Sequence, residues 1–132
     1  MKERDFRSKL MLEFNKVKAP GRFIWAHDSH FKAGFPDLYW VIGGKSRHAE
    51  LKLVKDKQLP QDPWSLCTKI QQKIIQDLYA SGASVYLFVA HVPPRGPKQV
   101  VIAYPYVNRL TCLTWTSFWA SWPCLSLEPP IN

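Results

Sequence analysis

Residues 37–54 constrain the fold of this chain more than any other stretch. Two runs of alternating side chains, about Asp37–Ile42 and Arg47–Val54, flank Gly43-Gly44-Lys45-Ser46. Gly-Gly between such runs signals a hairpin, because tight hairpin turns need positive φ. If Gly43-Gly44 is a two-residue loop, Ile42 pairs with Lys45, and counting outward puts Asp37 opposite Glu50. Directly paired residues share a face of the sheet, and Lys52, two residues past Glu50, joins them. The other face then collects Leu38, Trp40, Ile42, Ala49, Leu51 and Leu53, all apolar. Burying the larger of these is worth about 1.5–3 kcal/mol each. The register that buries them is therefore the register that gathers Asp37, Glu50 and Lys52. A four-residue loop would pair Asp37 with Lys52 and keep all three together, whereas an odd loop length would separate them.

Two carboxylates on neighbouring strands can share a divalent cation, and oxygen ligands suit Mg²⁺ or Mn²⁺. Such a metal polarises a scissile phosphate and lowers the pKa of its water. A nearby lysine orients the nucleophile and offsets developing negative charge. Each residue taken singly is ordinary: Pro-Asp often starts a strand, and Glu-x-Lys often marks a solvated strand face. Their coincidence in one register points to metal-dependent phosphodiester chemistry.

The rest of the chain supplies a setting. Phe6, Leu10, Phe14 and Val17 recur at helical spacing, predicting a helix over residues 3–18 that Pro20-Gly21 stops. Phe23–Ala26 reads as a short strand, and residues 27–34 as a loop. A second helix is expected from Ser65 or Cys67 to Ala80, with Gly82 at its C-terminal cap. Ser84–Ala90 is a continuous apolar strand of the kind buried on both faces, and Gln99–Ala103 is another. Trp115, Phe118, Trp119 and Trp122 fall at helical spacing near the C-terminus. The expected fold class is α/β, one domain over residues 1–132, with a core of about 3–104 and a Trp-rich helical tail of about 110–132.

Gly34-Phe35-Pro36-Asp37, twelve intervening residues and Glu50-Leu51-Lys52 resemble the signature of the PD-(D/E)XK nuclease superfamily. Within it the chain is similar to the VRR-NUC and Holliday-junction-resolvase-like branch, which includes small phage-encoded nucleases. Thr68-Lys69-Ile70-Gln71 matches the branch's Ser/Thr-x-x-Gln helix start, and Gly82 follows at the expected distance. The likeness spans about Glu3 to Val89. It implies a restriction-endonuclease-like core, αβββαβ, with a mixed central sheet flanked by helices. It also implies a Mg²⁺- or Mn²⁺-dependent DNA endonuclease, with junction or branched DNA as a candidate substrate and a homodimer as a candidate state. Asp37 and Glu50 would be metal ligands, Lys52 the catalytic lysine, the Leu51 backbone carbonyl a further ligand, and Gln71 a support for the site. The branch's helix-one carboxylate would be Glu3, with Glu13 as the alternative.

A net charge of +8 favours a polyanionic partner, DNA in this reading. Lys45, Arg47, Lys55, Lys57, Lys69 and Lys73 flank the site in sequence and are the expected phosphate contacts. With no run of 18 apolar residues and a charged N-terminal stretch, no membrane span or signal peptide is expected, and the expected location is a cytoplasm, the host's if the chain is virus-encoded. Cys67, Cys112 and Cys124 are odd in number and form no C-x-x-C, so reduced thiols are expected. His27-x-x-His30 and His48 lack the cysteine pair that would complete a zinc site. The aromatic stripe has three readings: a helix docked on the core, a dimer interface, or a base-stacking surface. Two rival functions remain, a non-catalytic nucleic-acid-binding module on the same fold and an assembly protein using the Trp-rich tail.

Overall fold

The protein is described here by a computed structural model covering residues 1–27, 33–105 and 109–125. It comprises α1 (Glu3–Asn15), β1 (Phe23–Ala26), β2 (Leu38–Ile42), β3 (Lys45–Lys55), a 3₁₀ turn (Pro63–Leu66), α2 (Lys69–Ala80), β4 (Ser84–Val92), β5 (Gln99–Ala103), β6 (Leu110–Thr114) and α3 (Trp115–Ser121). The six strands form one sheet in the order β1-β2-β3-β4-β5-β6. Among the described residues only the β3–β4 pair is parallel, with α2 as its crossover, and the other pairs are antiparallel. With the 3₁₀ turn set aside, the first six elements thus follow the αβββαβ order, in a mixed sheet flanked by helices.

The hairpin closes through a two-residue loop. Ile42 pairs with Lys45, Trp40 with Arg47 and Leu38 with Ala49, and both loop glycines have positive φ. This register sorts the two faces of the sheet. Leu38, Trp40, Ile42, Ala49 and Leu51 are buried in one core with Phe6, Leu10 and Phe14 of α1, and Leu53 packs against it. On the opposite face Val54, Leu87, Val89 and Val101 are buried with Cys67 beside the 3₁₀ turn. β4 is buried almost end to end, as a strand covered on both faces must be.

The chain after residue 109 departs from the expected helical tail. Leu110–Thr114 adds a sixth strand, pairing from Ala103↔Leu110 to Gln99↔Thr114, and α3 occupies only Trp115–Ser121. A five-residue strand offers too few alternations to be heard beside the helical spacing of the tryptophans. The remainder of the expected tail, from residue 126, lies outside the described residues, as does His30. Helix α1 ends at Asn15 rather than near residue 18, with Lys16 as its C-cap.

The aromatic stripe docks on the core. Phe118 and Trp122 are buried, the Trp122 ring lies 5.0 Å from that of Trp40, and its indole N–H donates to the Leu10 carbonyl at 2.9 Å. The C-terminal segment is thereby tied to α1 and to β2. Trp122→Phe is expected to lower stability by about 1–2 kcal/mol, since it removes a buried hydrogen bond and leaves space beside Trp40. Urea denaturation checks this, and an unchanged midpoint would mean that the tie contributes nothing.

Candidate active site

The geometry of the site follows from where β2 ends. Ile42 and Lys45 close the hairpin, so odd-numbered residues of β3 direct their main-chain N–H and C=O groups toward β2. β2 begins at Leu38, opposite Ala49. Beyond that point Leu51 and Leu53 face an open sheet edge on that side. Asp37 Oδ2 accepts from Leu51 N–H at 3.0 Å, and the Glu3 carboxyl lies near the Leu53 amide, which pulls its pKa down. The Leu51 carbonyl, on the same edge as its N–H, is directed between them. Asp37 is itself fixed by its carbonyl, which accepts from His27 N–H at 2.8 Å. Glu3, Arg4, Arg7, Asp37 and Leu51 line a cleft of about 210 Å³ at this edge.

Glu50 projects from β3 onto the face that carries α2, and it is only 1 % exposed. Its Oε1 lies 3.4 Å from Gln71 Nε2 and 3.9 Å from Lys52 Nζ. Its Oε2 is buried without a hydrogen-bond partner. Burial pushes the Glu50 carboxyl far above the usual carboxylate range, and Asp37 beside it pushes the same way, while Lys52 opposes the shift. Two carboxylates brought together out of water can share only a proton or a cation. Partial desolvation also raises Glu3, with Lys52, the Leu53 amide and Arg7 pulling it down and Asp37 pushing it up.

Two short motifs acquire a mechanical meaning. Thr68 caps α2: its hydroxyl accepts from Gln71 N–H at 3.1 Å, and the Gln71 side-chain oxygen accepts from Thr68 N–H at 2.9 Å. This reciprocal capping box holds the other end of the Gln71 amide toward Glu50. Gly34, at φ +83°, packs on the same helix. A Cβ there would overlap the Ile70 side chain and stand 3.0 Å from both the Ile70 backbone and Ile74 Cδ1. Only glycine lets the loop that carries Asp37 lie directly on the helix that carries Gln71. Gly34→Ala is therefore expected to destabilise the protein by about 1–2 kcal/mol. Thermal denaturation reads it, and an unaltered melting temperature would rule out the clamp.

The structure brings Asp37, Glu50, Lys52, Leu51, Gln71 and Glu3 into one locality. Glu13 lies elsewhere: it pairs with Lys16 at 3.0 Å, ten residues along α1 from Glu3, or about 15 Å at 1.5 Å per residue. The expected phosphate contacts divide. Arg47 is buried on the apolar face opposite Trp40, because its odd position in β3 points it into the core rather than toward Glu50. Lys45 and Lys55 are exposed at the two ends of β3, each five residues or about 17 Å along the strand from Glu50. Lys57, Lys69 and Lys73 are exposed, and Lys73 pairs with Asp77 at 2.8 Å. Arg4 and Arg7, which line the cleft, were not among the expected contacts. Their signal was available, since residues 3 and 7 share one side of a helix.

The donor set fits a hard divalent cation in part. Glu50 Oε2, the Asp37 carboxylate and the Leu51 carbonyl are oxygen donors, and Mg²⁺ is usually held by one or two carboxylates together with water and phosphate. Among the described residues no three His, Cys, Asp or Glu side chains form a ready-made metal cluster, so further ligands would have to come from backbone, solvent and substrate. Among the described residues, too, no helix is long and apolar enough to cross a membrane.

No protein-family model matches the chain, and no curated protein matches it. Among solved structures the chain is similar to Hjc of Archaeoglobus fulgidus, a Holliday junction resolvase from an archaeal hyperthermophile. The identity is 14%, over 88% of each chain, with a TM-score of 0.42. At this distance, residue roles rest on the geometry of the site alone.

Proposed function

We propose that this protein is a divalent-metal-dependent nuclease that hydrolyses DNA phosphodiester bonds, most simply as an endonuclease of the PD-(D/E)XK type. The observation that carries the reading is Glu50, a buried carboxylate with one oxygen unpartnered and facing a second carboxylate. Such a group costs several kcal/mol unless a counter-charge arrives. A Mg²⁺ or Mn²⁺ ion held by Asp37, Glu50 and the Leu51 carbonyl would supply Lewis acidity toward the scissile phosphate and its attacking water. Lys52, 17% exposed and 3.9 Å from Glu50, is placed to orient the nucleophile and offset charge on the phosphate. Gln71 holds the Glu50 carboxylate. Arg4 and Arg7 on the cleft wall add positive charge toward the phosphate.

The alternative, a binding module without catalysis, has no use for a buried carboxylate with one oxygen left unpartnered. A role for the tryptophan stripe in assembly must contend with its docking on the protein's own core. Junction or branched DNA as substrate and a homodimeric state remain part of the same proposal. Incubating purified protein with a plasmid, a linear duplex and a synthetic four-way junction, with Mg²⁺, Mn²⁺ or EDTA, tests it. Cleavage requiring the metal is expected, and folded protein inert toward all three DNAs would overturn the reading.

A further inference from the structure

The face that carries Glu50 continues toward β1 as a surface of aromatic rings. Trp25 is paired with Tyr39, and Tyr39 with His48, so the three side chains form one row across three strands. Phe23 begins the next row, and its ring lies 6.1 Å from Tyr39. Tyr39 in turn lies 4.9 Å from His48. His48 contacts Phe35 at 5.7 Å, and Phe35 contacts His27 at 4.7 Å. Helix α2 packs on β4, and it leaves Trp25 53% and Phe23 49% exposed. Large aromatics standing in water on a sheet face are costly unless something binds them.

The row sits one pleat from the site. Asp37 lies two residues from Tyr39, and Glu50 two residues from His48, about 7 Å along each strand. That span is about two steps of a stacked nucleic-acid strand at ~3.4 Å each. Residues 14–27 and 38–49, which build this half of the sheet, contain no carboxylate; of their cations, Lys16 pairs with Glu13 and Arg47 is buried in the core, which leaves the charge to Lys18, Arg22 and Lys45. With a net charge of +8, a second copy seated here would bring like charges together, whereas a polyanion is attracted. Aromatic faces stack on any nucleobase, but only where the base is free of its partner.

We infer that Trp25 and Phe23, backed by Tyr39 and His48, form a stacking surface for unpaired bases next to the phosphate that a cation at Asp37 and Glu50 would hold. The preferred substrate would then be DNA with single-stranded character beside the cut: an overhang, a flap or an opened branch. The inference rests on the nuclease reading for the position of the phosphate, but its test does not need cleavage. Fluorescence anisotropy in EDTA would compare a labelled blunt duplex with the same duplex bearing a six-nucleotide overhang, for wild type, Trp25→Ala and Phe23→Ala. Both positions are half exposed, and circular dichroism verifies that the variants fold. The ratio of overhang to duplex affinity is expected to exceed one in the wild type and to fall about 5- to 150-fold in Trp25→Ala, with a smaller fall in Phe23→Ala. A 5-iodouracil placed in the overhang is expected to crosslink to this strand surface. An unchanged ratio, an equal loss on both DNAs, or a change in oligomeric state without any change in DNA affinity would overturn the inference. An inactive protein that still shows the expected ratio would sink the nuclease reading and leave the stacking surface standing.

Discussion

Asp37→Asn is expected to reduce Mn²⁺-dependent cleavage by about 10³-fold or more, which corresponds to about 4 kcal/mol of transition-state stabilisation. Asparagine is the informative replacement. Its side-chain oxygen can still accept from Leu51 N–H, the contact that Asp37 makes at 3.0 Å, so the end of β2 should stay in place. What it removes is the negative charge facing Glu50. Lys52→Ala is expected to lose about 10²- to 10³-fold, because lysine acts on the charge that develops in the transition state and not on the fold. Single-turnover cleavage of a labelled duplex or junction, with circular dichroism as the control for folding, measures both. An Asp37→Asn protein that folds and still cuts at a tenth of the wild-type rate would remove Asp37 from the chemistry.

Glu50→Gln is expected to do two opposite things: abolish cleavage and raise the stability of the metal-free protein. Burial first, and the neighbouring Asp37 second, raise the Glu50 pKa in the folded state. The unfolded chain keeps an ordinary value, near 4.3. The folded state therefore binds the proton that the unfolded state releases. Its contribution to stability is complete below the unfolded pKa and is lost as the pH rises from there toward the folded pKa. Glutamine has no proton to lose. The stability difference between Glu50→Gln and wild type in EDTA should thus be small near pH 4.5 and grow to about 2 kcal/mol or more by pH 8. A divalent cation favours the carboxylate and reverses the order, so Mn²⁺ should raise the melting temperature of the wild type and leave that of the variant unmoved. Differential scanning fluorimetry across pH, with and without Mn²⁺, tests both statements. A variant less stable than wild type at pH 8 in EDTA would show that Glu50 is not held against its own charge.

How much of this was legible in the sequence depended on whether the information was periodic. The hairpin register was legible because strands have a strict period of two and Gly43-Gly44 announces the turn. Those facts place Ile42 opposite Lys45 and sort Leu38, Trp40, Ala49 and Leu51 away from Glu50. The same parity could have assigned Arg47 to the core. Arginine composition points to the surface, but parity prevails and the side chain is buried opposite Trp40. Strand β6 was hidden by the helical spacing of the tryptophans that follow it. Gly34 was legible as part of a motif but not as a packing requirement, since its neighbours Ile70 and Ile74 lie far along the chain.

Taken alone, then, the sequence determined the alternation that puts Glu50 and Lys52 on one side of β3 and the apolar side chains on the other, with Asp37 just ahead of β2. It also determined the capping box that begins α2, because both depend on residues near one another in the chain. The tertiary structure decided what those residues experience. It ended β2 opposite Ala49, which opened the edge where Asp37 takes the Leu51 amide and Glu3 lies near the Leu53 amide. It brought Glu3 rather than Glu13 to that edge, and it buried Glu50 beneath α2. Burial, charge proximity and an interrupted sheet edge are sums over elements distant in sequence, and no local pattern of residues contains them.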